Sequence, residues 1–263
     1  MKLQGKRVLV TGASGGIGGA IARELAARGA KLVLTGRKPD VLAQLRSELD
    51  AESIVADISH PDGIADLLAK LGDVDVLVAN AGLPGTVHIS NWSNDEIAHV
   101  LDVNLRAPIL LARGLIGSMS RRGGGHMVFV SSLAGLMASP MSAIYSASKY
   151  GLRGFAQCLR LDLHEANIGV SCVFPGIIRD AGMFVASGGK VPKGIGTNTT
   201  TDVAHAVVKA IERNIPEIAV APFGLRVLNR IAALFPGWFG TLQIKVGATK
   251  VLQKAVGAGL KES

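Results

Sequence analysis

The sequence predicts an α/β fold: a single domain built on a doubly wound parallel sheet with helices on both faces. Three observations carry this. Short apolar runs alternate with helical patterns along most of the chain. The runs are continuously apolar, as strands buried on both faces require. Of the 263 residues, 48% are hydrophobic and 18% charged, which suffices for a large core and excludes a disordered chain. Right-handed crossovers between such strands leave ligands at the strands' carboxyl ends.

The elements follow in order. "RVLV" is the first strand and leads into a helix over Ile17–Arg28. "KLVLT" is followed by Val41–Leu49, and "SIVA" by Ile64–Leu71. "VDVLVAN" precedes one long helical pattern from about Asn94 to Met119. "HMVFVSS" precedes a helix that carries Tyr145 and runs to about Ala166; "GVSCVFPG" is the sixth strand. Residues 177–200 are Gly-rich, weakly periodic and long for a loop, which marks a lid over a substrate. A helix near Asp202–Arg213, a strand near Glu217–Val220 and an apolar, basic extension over 222–263 complete the chain. No linker or internal repeat divides residues 1–263.

Composition narrows the function classes. Cys158 and Cys172 form no disulfide framework and no Cys/His cluster; both read as small core residues in a reducing compartment, and no metal site is expected. The N-terminus enters a strand at once, too soon for a secretory signal, and no window approaches the roughly 20 apolar residues of a membrane span. A cytoplasmic protein is expected. The net charge is +8, and from Ala221 onward six Lys or Arg face one Glu. Few aromatics interleave with those cations, so nucleic acid is not the expected partner.

"VLVTGASGGIGGAIA" sets Gly12, Gly16 and Gly18 between a strand and a helix. Gly12 permits the tight turn, Gly16 lets backbone approach a phosphate, and Gly18 allows close helix packing. The helix start then offers N–H groups and a positive dipole end to an anion. This is a dinucleotide signature in its required strand–turn–helix context. The second strand ends "VLTGRKPD", with no carboxylate before Asp40. Arg37 and Lys38 stand where an acidic residue would hold a ribose diol, and two cations suit a 2′-phosphate. NADP is therefore the expected cofactor, with NAD second.

"SAIYSASKYGL" sets Tyr145 and Lys149 four residues apart, stacked on one helix face among small residues. A free phenol has a pKa of about 10, so proton transfer near neutrality asks for a shift of about three units, or ~4 kcal/mol. One cation at ~4 Å in an effective dielectric near 20 supplies ~4 kcal/mol. The spacing therefore predicts a phenol acidified by its neighbouring ammonium together with the positive nicotinamide ring of an oxidised cofactor.

With these residues in view, the chain resembles the classical short-chain dehydrogenase/reductase family, whose fold is Rossmann-like. The match covers about Lys6 to Gly176: "TGASGGIG", "NAG", Asn104 in "DVNL", Ser132 in "VSSLAG", "YSASK" and "PG". The resemblance implies NAD(P)-dependent hydride transfer between a secondary alcohol and a ketone. It implies that Tyr145 is the general acid or base and that Ser132 holds the substrate oxygen. Lys149 would bond the nicotinamide ribose and depress the tyrosine's pKa, and Asn104 would support a water linking Lys149 to solvent. For the cofactor it implies contacts from Gly12, Ser14, Gly16, Ile17, Gly18, Arg37, Lys38, Asp57, Ile58, Asn80, Ala81 and Gly82. Tyr145 and Lys149 themselves and Pro175, Gly176 and Ile178 would line the nicotinamide. A homodimer or homotetramer is expected.

Two departures stand out. Many relatives carry a threonine four residues after the "PG" glycine; Asp180 holds that position here. The Gly-rich C-terminal strand of many tetrameric relatives is replaced by residues 222–263, with apolar residues at helical spacing and interrupting cations. Those residues have three readings: a wall of the substrate pocket, a dimer contact, or a basic amphipathic segment on an anionic membrane. The substrate is expected to be apolar, from that extension and from "GMFV" in the lid. Two rival functions remain: a nucleotide-sensing binding module without turnover, and a membrane-peripheral reductase of lipid-like substrates.

Overall fold

In the computed structural model, residues 1–181 and 196–250 are described. Seven parallel strands form one sheet in the order β3-β2-β1-β4-β5-β6-β7. They are β1 (Arg7–Thr11), β2 (Lys31–Gly36), β3 (Glu52–Val55), β4 (Val76–Ala79), β5 (Gly125–Val130), β6 (Ile168–Pro175) and β7 (Glu217–Val220). The helices are α1 (Gly16–Ala27), α2 (Pro39–Leu49), α3 (Pro61–Leu71), α4 (Asn94–Leu101), α5 (Ala107–Arg121) and α6 (Ala143–Asp162), then α7 (Thr200–Arg213), α8 (Phe223–Leu234) and α9 (Pro236–Lys245). The order reverses between β1 and β4, so a crevice opens there at the strands' carboxyl ends.

The period of two along each strand sorts side chains into two cores. Leu9, Leu77, Met127, Phe129, Cys172 and Phe174 point to one face, where α3, α5 and α6 bring Leu67, Leu111 and Leu152. Val8, Val10, Val76, Val78, Val128 and Val173 point to the other, against Ile21 of α1, Leu42 of α2 and Val207 of α7. Each such aliphatic, taken fully out of water, contributes about 1.5–3 kcal/mol. Phe129 meets Phe155 edge to face at 5.5 Å between centroids, fixing α6 over β5. At the far edge Arg153 of α6 grips Glu217 of β7 through two bonds of 2.7 and 3.0 Å.

Three expectations need correction. The long pattern from Asn94 is not one helix: Asp102–Arg106 form a π-helical turn between α4 and α5. Pro108 has no N–H to give the Asn104 carbonyl, so the regular ladder cannot pass that point; instead the Ala107 N–H reaches the Asp102 carbonyl. The helix of Tyr145 ends at Asp162, short of Ala166, and residues 163–167 turn, with Asn167 left-handed (φ 55°), into β6. Cys158 is exposed, on the outer side of α6, and only Cys172 is a core residue.

The cationic end of the sheet carries its own network. Asp75, before β4, accepts from Lys6, the Arg7 N–H and Arg122, at 3.2, 2.9 and 2.6 Å. Nearby, the buried His126 lies 2.9 Å from the Ser171 hydroxyl. That hydroxyl donates its one proton to the Ile215 carbonyl at 2.6 Å, so His126 Nε2 must be the donor to Ser171. Burial pushes the imidazole pKa down to about 3, so the ring stays neutral.

This yields a stability prediction. Between pH 6.5 and about 3 the unfolded chain binds a proton at this histidine that the folded chain refuses, so stability falls as pH falls. In His126→Gln, urea unfolding from pH 7 down to pH 4.5 should lose up to about 1.4 kcal/mol per pH unit less than the wild type. An unchanged slope would show that His126 is not the group responsible.

Candidate active site

Four elements deliver the site. β1 runs into a turn at Thr11–Gly18, and Gly12 takes φ 65° there. A Cβ on Gly12 would lie 2.8 Å from the Ala81 Cα, and a Cβ on Gly18 would overlap the Gly12 carbonyl oxygen. Asn80 closes the cradle from β4: its Nδ2 donates to the Thr11 and Gly12 carbonyls at 3.0 and 3.3 Å. The Thr11 hydroxyl accepts both the Asn80 and Ala81 N–H groups. Asn80 and Ala81 thus hold the turn in shape.

The start of α1 fits an anion. Gly15 at its N-cap has no side chain to bond the first N–H groups, and the first turn has no acid. By contrast α4 and α7 begin with full capping boxes, Ser93 with Glu96 and Thr199 with Asp202. The uncapped N–H groups of α1 are left for a phosphate. A cavity of about 170 Å³ lies beside the turn, between Ser14–Gly16 and Val41 and Gln44 of α2. Ser14 packs so closely on Gly36 that a Cβ there would sit 2.7 Å from its hydroxyl. Arg37 and Lys38 follow Gly36 and are exposed. Asp57 accepts the Ser59 N–H at 3.0 Å, and this bond, aided by Arg37 and His60, holds its carboxyl below the ordinary range. The residues present therefore fit a dinucleotide, with cations at the adenosine-ribose end. Ile58 and Ile178 send their side chains into the cores, and the Gly176 N–H bonds the Val220 carbonyl. Ile17 and Gly82 are half-buried near the turn and the end of β4, and Pro175 closes β6.

Tyr145, Lys149 and Ser132 come together at the ends of β5 and α6. Lys149 is buried and donates to the Val130 carbonyl at 3.1 Å; its Nζ lies 5.7 Å from the Tyr145 ring centroid. The Ser132 hydroxyl accepts the Ala134 N–H at 3.2 Å, which leaves its own proton free to donate. Asn104 is buried in the π-helical turn, and its amide is occupied. It accepts the Leu83 N–H at 2.7 Å and donates to the Leu83 carbonyl and to Ser148 at 3.0 and 3.3 Å. Ser148 in turn donates to the Tyr145 carbonyl at 2.7 Å. The side chain of Asn104 thus ties the segment after β4 to the helix that carries Tyr145.

The protein's own groups act on the phenol through burial and one hydrogen bond. The Tyr145 phenol is raised above its ordinary value, because burial of the phenolate outweighs the hydrogen bond from Ser132 that favours it. Burial also drives the Lys149 ammonium down, to about 8. In the protein alone each group is therefore biased to its neutral form, and the phenol keeps its proton at pH 7.

Sequence reading missed several supports. Gly85 passes so close to Tyr145 that a Cβ would lie 2.7 Å from the tyrosine Cβ, and Gly135 meets the Lys149 carbonyl at the same distance. Ser131 donates to that carbonyl at 3.1 Å. The doubled serine of "VSSLAG" was the available signal: one serine faces the phenol and the other the helix backbone. Asp180 accepts the Thr200 N–H at 2.9 and 3.2 Å and its hydroxyl at 3.0 Å, so it anchors the start of α7. Ile178 and Asn198 form a parallel bridge beside it, closing the base of the expected lid. Residues 182–195, including "GMFV", lie outside the described residues.

Comparison with known proteins identifies the family. Residues 6–190 match the family model for short chain dehydrogenase. A ketoacyl reductase, HetN, of a Nostoc species is 37% identical over 227 residues, spanning 83% of this chain and 79% of that one. Dehydrogenase/reductase SDR family member 7B of Mus musculus is 33% identical over 252 residues, spanning 88% and 78%. The crystal structure of a metagenomic short-chain oxidoreductase in complex with NADP superposes with a TM-score of 0.70 at 34% identity, covering 84% of this chain and 99% of that one.

The buried ammonium makes a prediction. Between about pH 8 and 10.5 the unfolded chain binds a proton at Lys149 that the folded chain gives up, so this lysine's contribution to stability rises with pH. Lys149→Met should remove that rise, about 1 kcal/mol per pH unit, in urea unfolding between pH 7.5 and 9.5. A variant slope equal to the wild type's would place the ammonium in solvent.

Proposed function

The chain belongs to the short-chain dehydrogenase/reductase family and is an oxidoreductase; we propose that it reduces an apolar ketone to a secondary alcohol with NADPH, Tyr145 giving the proton. The observation that carries this is the Tyr145 phenol, biased to its protonated form beside Ser132 and Lys149 at the end of the nucleotide crevice. Reduced nicotinamide, when bound, supplies hydride to the carbonyl carbon. As charge gathers on the carbonyl oxygen, Tyr145 transfers its proton there and Ser132 donates a hydrogen bond to the same atom. Lys149 holds a positive charge beside the phenolate that remains, and a proton returns to the phenol from solvent past Lys149. Asn104 and Ser148 position the helix segment that carries Tyr145.

Reduction is supported by similarity to a ketoacyl reductase, and a phenol that keeps its proton at neutral pH is in the form needed to donate it. Preference for NADPH is supported by Arg37 and Lys38, exposed directly after Gly36, which packs on Ser14, and by the resemblance to an oxidoreductase in complex with NADP. A ketone is supported by similarity to a ketoacyl reductase. Apolarity is supported by Leu136 and Met137, half-buried in the segment beyond Ser132, and by Leu225 of α8 packing on the core beside Ala221.

Two measurements test the reading. Tyr145→Phe keeps the ring and loses the proton; with NADPH and a panel of ketones, kcat should fall at least ~100-fold, the range of general acid catalysis. Undiminished turnover would remove Tyr145 from the reaction. Arg37→Asp should weaken NADPH binding by ~10-fold or more while leaving NADH nearly unaffected, since a charge-assisted phosphate contact is lost. Unchanged discrimination would defeat the phosphate reading.

A further inference from the structure

We propose that the α8–α9 hairpin is a docking surface for an anionic lipid bilayer. One helix, α8, carries two apolar faces. Ala232 of α8 is buried and Leu225 packs against the core. On its other side Phe223, Val227, Ile231 and Leu234, spaced three and four residues apart, face solvent, and Phe235 and Trp238 continue the patch into α9. Leu234 is 73% exposed and Trp238 58%. A contiguous stripe of large apolar and aromatic side chains on a surface helix marks a contact site.

Charge selects the occupant. From Ile218 to Lys261 the chain contains no Asp or Glu, while Arg226, Arg230, Lys245 and Lys250 lie on or directly after the two helices. The Arg226 guanidinium lies 5.9 Å from the Phe223 ring centroid, so its charge borders the apolar stripe. A second copy of this chain would meet the patch with the same cations and no acid to pair them, because a two-fold contact places like surface on like. An anionic headgroup layer satisfies the arginines and lysines, and the acyl boundary accepts the stripe. Trp238 has the amphipathic ring suited to that boundary. Among the described residues no helix is long and apolar enough to cross a membrane, so the hairpin lies in the interface plane.

The hairpin is also tied to the site. Gln243 of α9 donates to the Ala138 carbonyl at 2.9 Å, in the segment that follows Ser132. Docking would therefore hold the mouth of the active site close to the lipid. The docking claim does not depend on the proposed reduction, because vesicle binding is measured without cofactor or ketone.

The test uses the full chain and vesicles of phosphatidylcholine alone or mixed with phosphatidylglycerol. The wild type should sediment with the mixed vesicles, much less with phosphatidylcholine alone, and less again as salt is raised. Arg226→Gln with Arg230→Gln should weaken binding about fivefold per cation removed. Leu234→Glu with Trp238→Glu should abolish it with the circular dichroism unchanged. Should that pair fail to fold, Trp238→Gln alone must still weaken binding. Absence of wild-type binding to the mixed vesicles overturns the proposal, as does equal binding by all variants. So does a dimer in gel filtration, without vesicle binding, that Leu234→Glu with Trp238→Glu converts to a monomer; the patch then belongs to a second copy.

Discussion

Lys149 keeps its ammonium buried at the junction of β5 and α6 with one hydrogen bond, to the Val130 carbonyl. Burial of that charge is unfavourable, and the drop in its pKa to about 8 records the cost. The local structure is arranged to hold it. Ser131 bonds the lysine's own carbonyl, Gly135 lets the turn after β5 press against the same atom, and Phe129 and Phe155 fix the helix over the strand. If α6 shifted outward, water would reach the ammonium and the burial that lowers its pKa would be lost. The Tyr145 phenol depends on the same packing, because it is half-buried between Gly85, Ser132 and Lys149.

A second constraint comes from a proline. Pro108 denies the Asn104 carbonyl its helical donor, and the helix answers with a wider turn. That turn holds the Asn104 amide where it bonds both backbone groups of Leu83 and reaches Ser148. Three segments distant in sequence are thereby locked: the exit from β4, the α4–α5 junction and the helix of Tyr145. A buried polar group with its bonds made specifies one arrangement, since any other would leave the amide unpaired. The broken helix is a positioning device for the site.

Asp180 holds the first residue of α7 by both N–H and hydroxyl. The Ile178–Asn198 bridge lies beside it. Beyond β7 the polypeptide builds two short helices in place of a closing strand, and one of them bonds the backbone beyond Ser132. These additions lie at the substrate end, whereas the nucleotide end keeps the plain strand–turn–helix form.

What the residues alone determine is local and periodic. Continuous Val and Leu runs specify buried parallel strands, the Gly12–Gly18 spacing specifies an uncapped turn, and a separation of four stacks Tyr145 above Lys149. Each involves neighbours within one or two turns, where backbone geometry is nearly independent of context. The tertiary structure decided what depends on distant partners: the role of Asn104, the anchor made by Asp180, the exposure of Cys158 and the direction of the phenol's shift. Burial and hydrogen bonding across 20 to 44 residues of sequence set those outcomes. Desolvation is a property of everything packed around a group, so a spacing rule that sees only the neighbouring ammonium leaves it out.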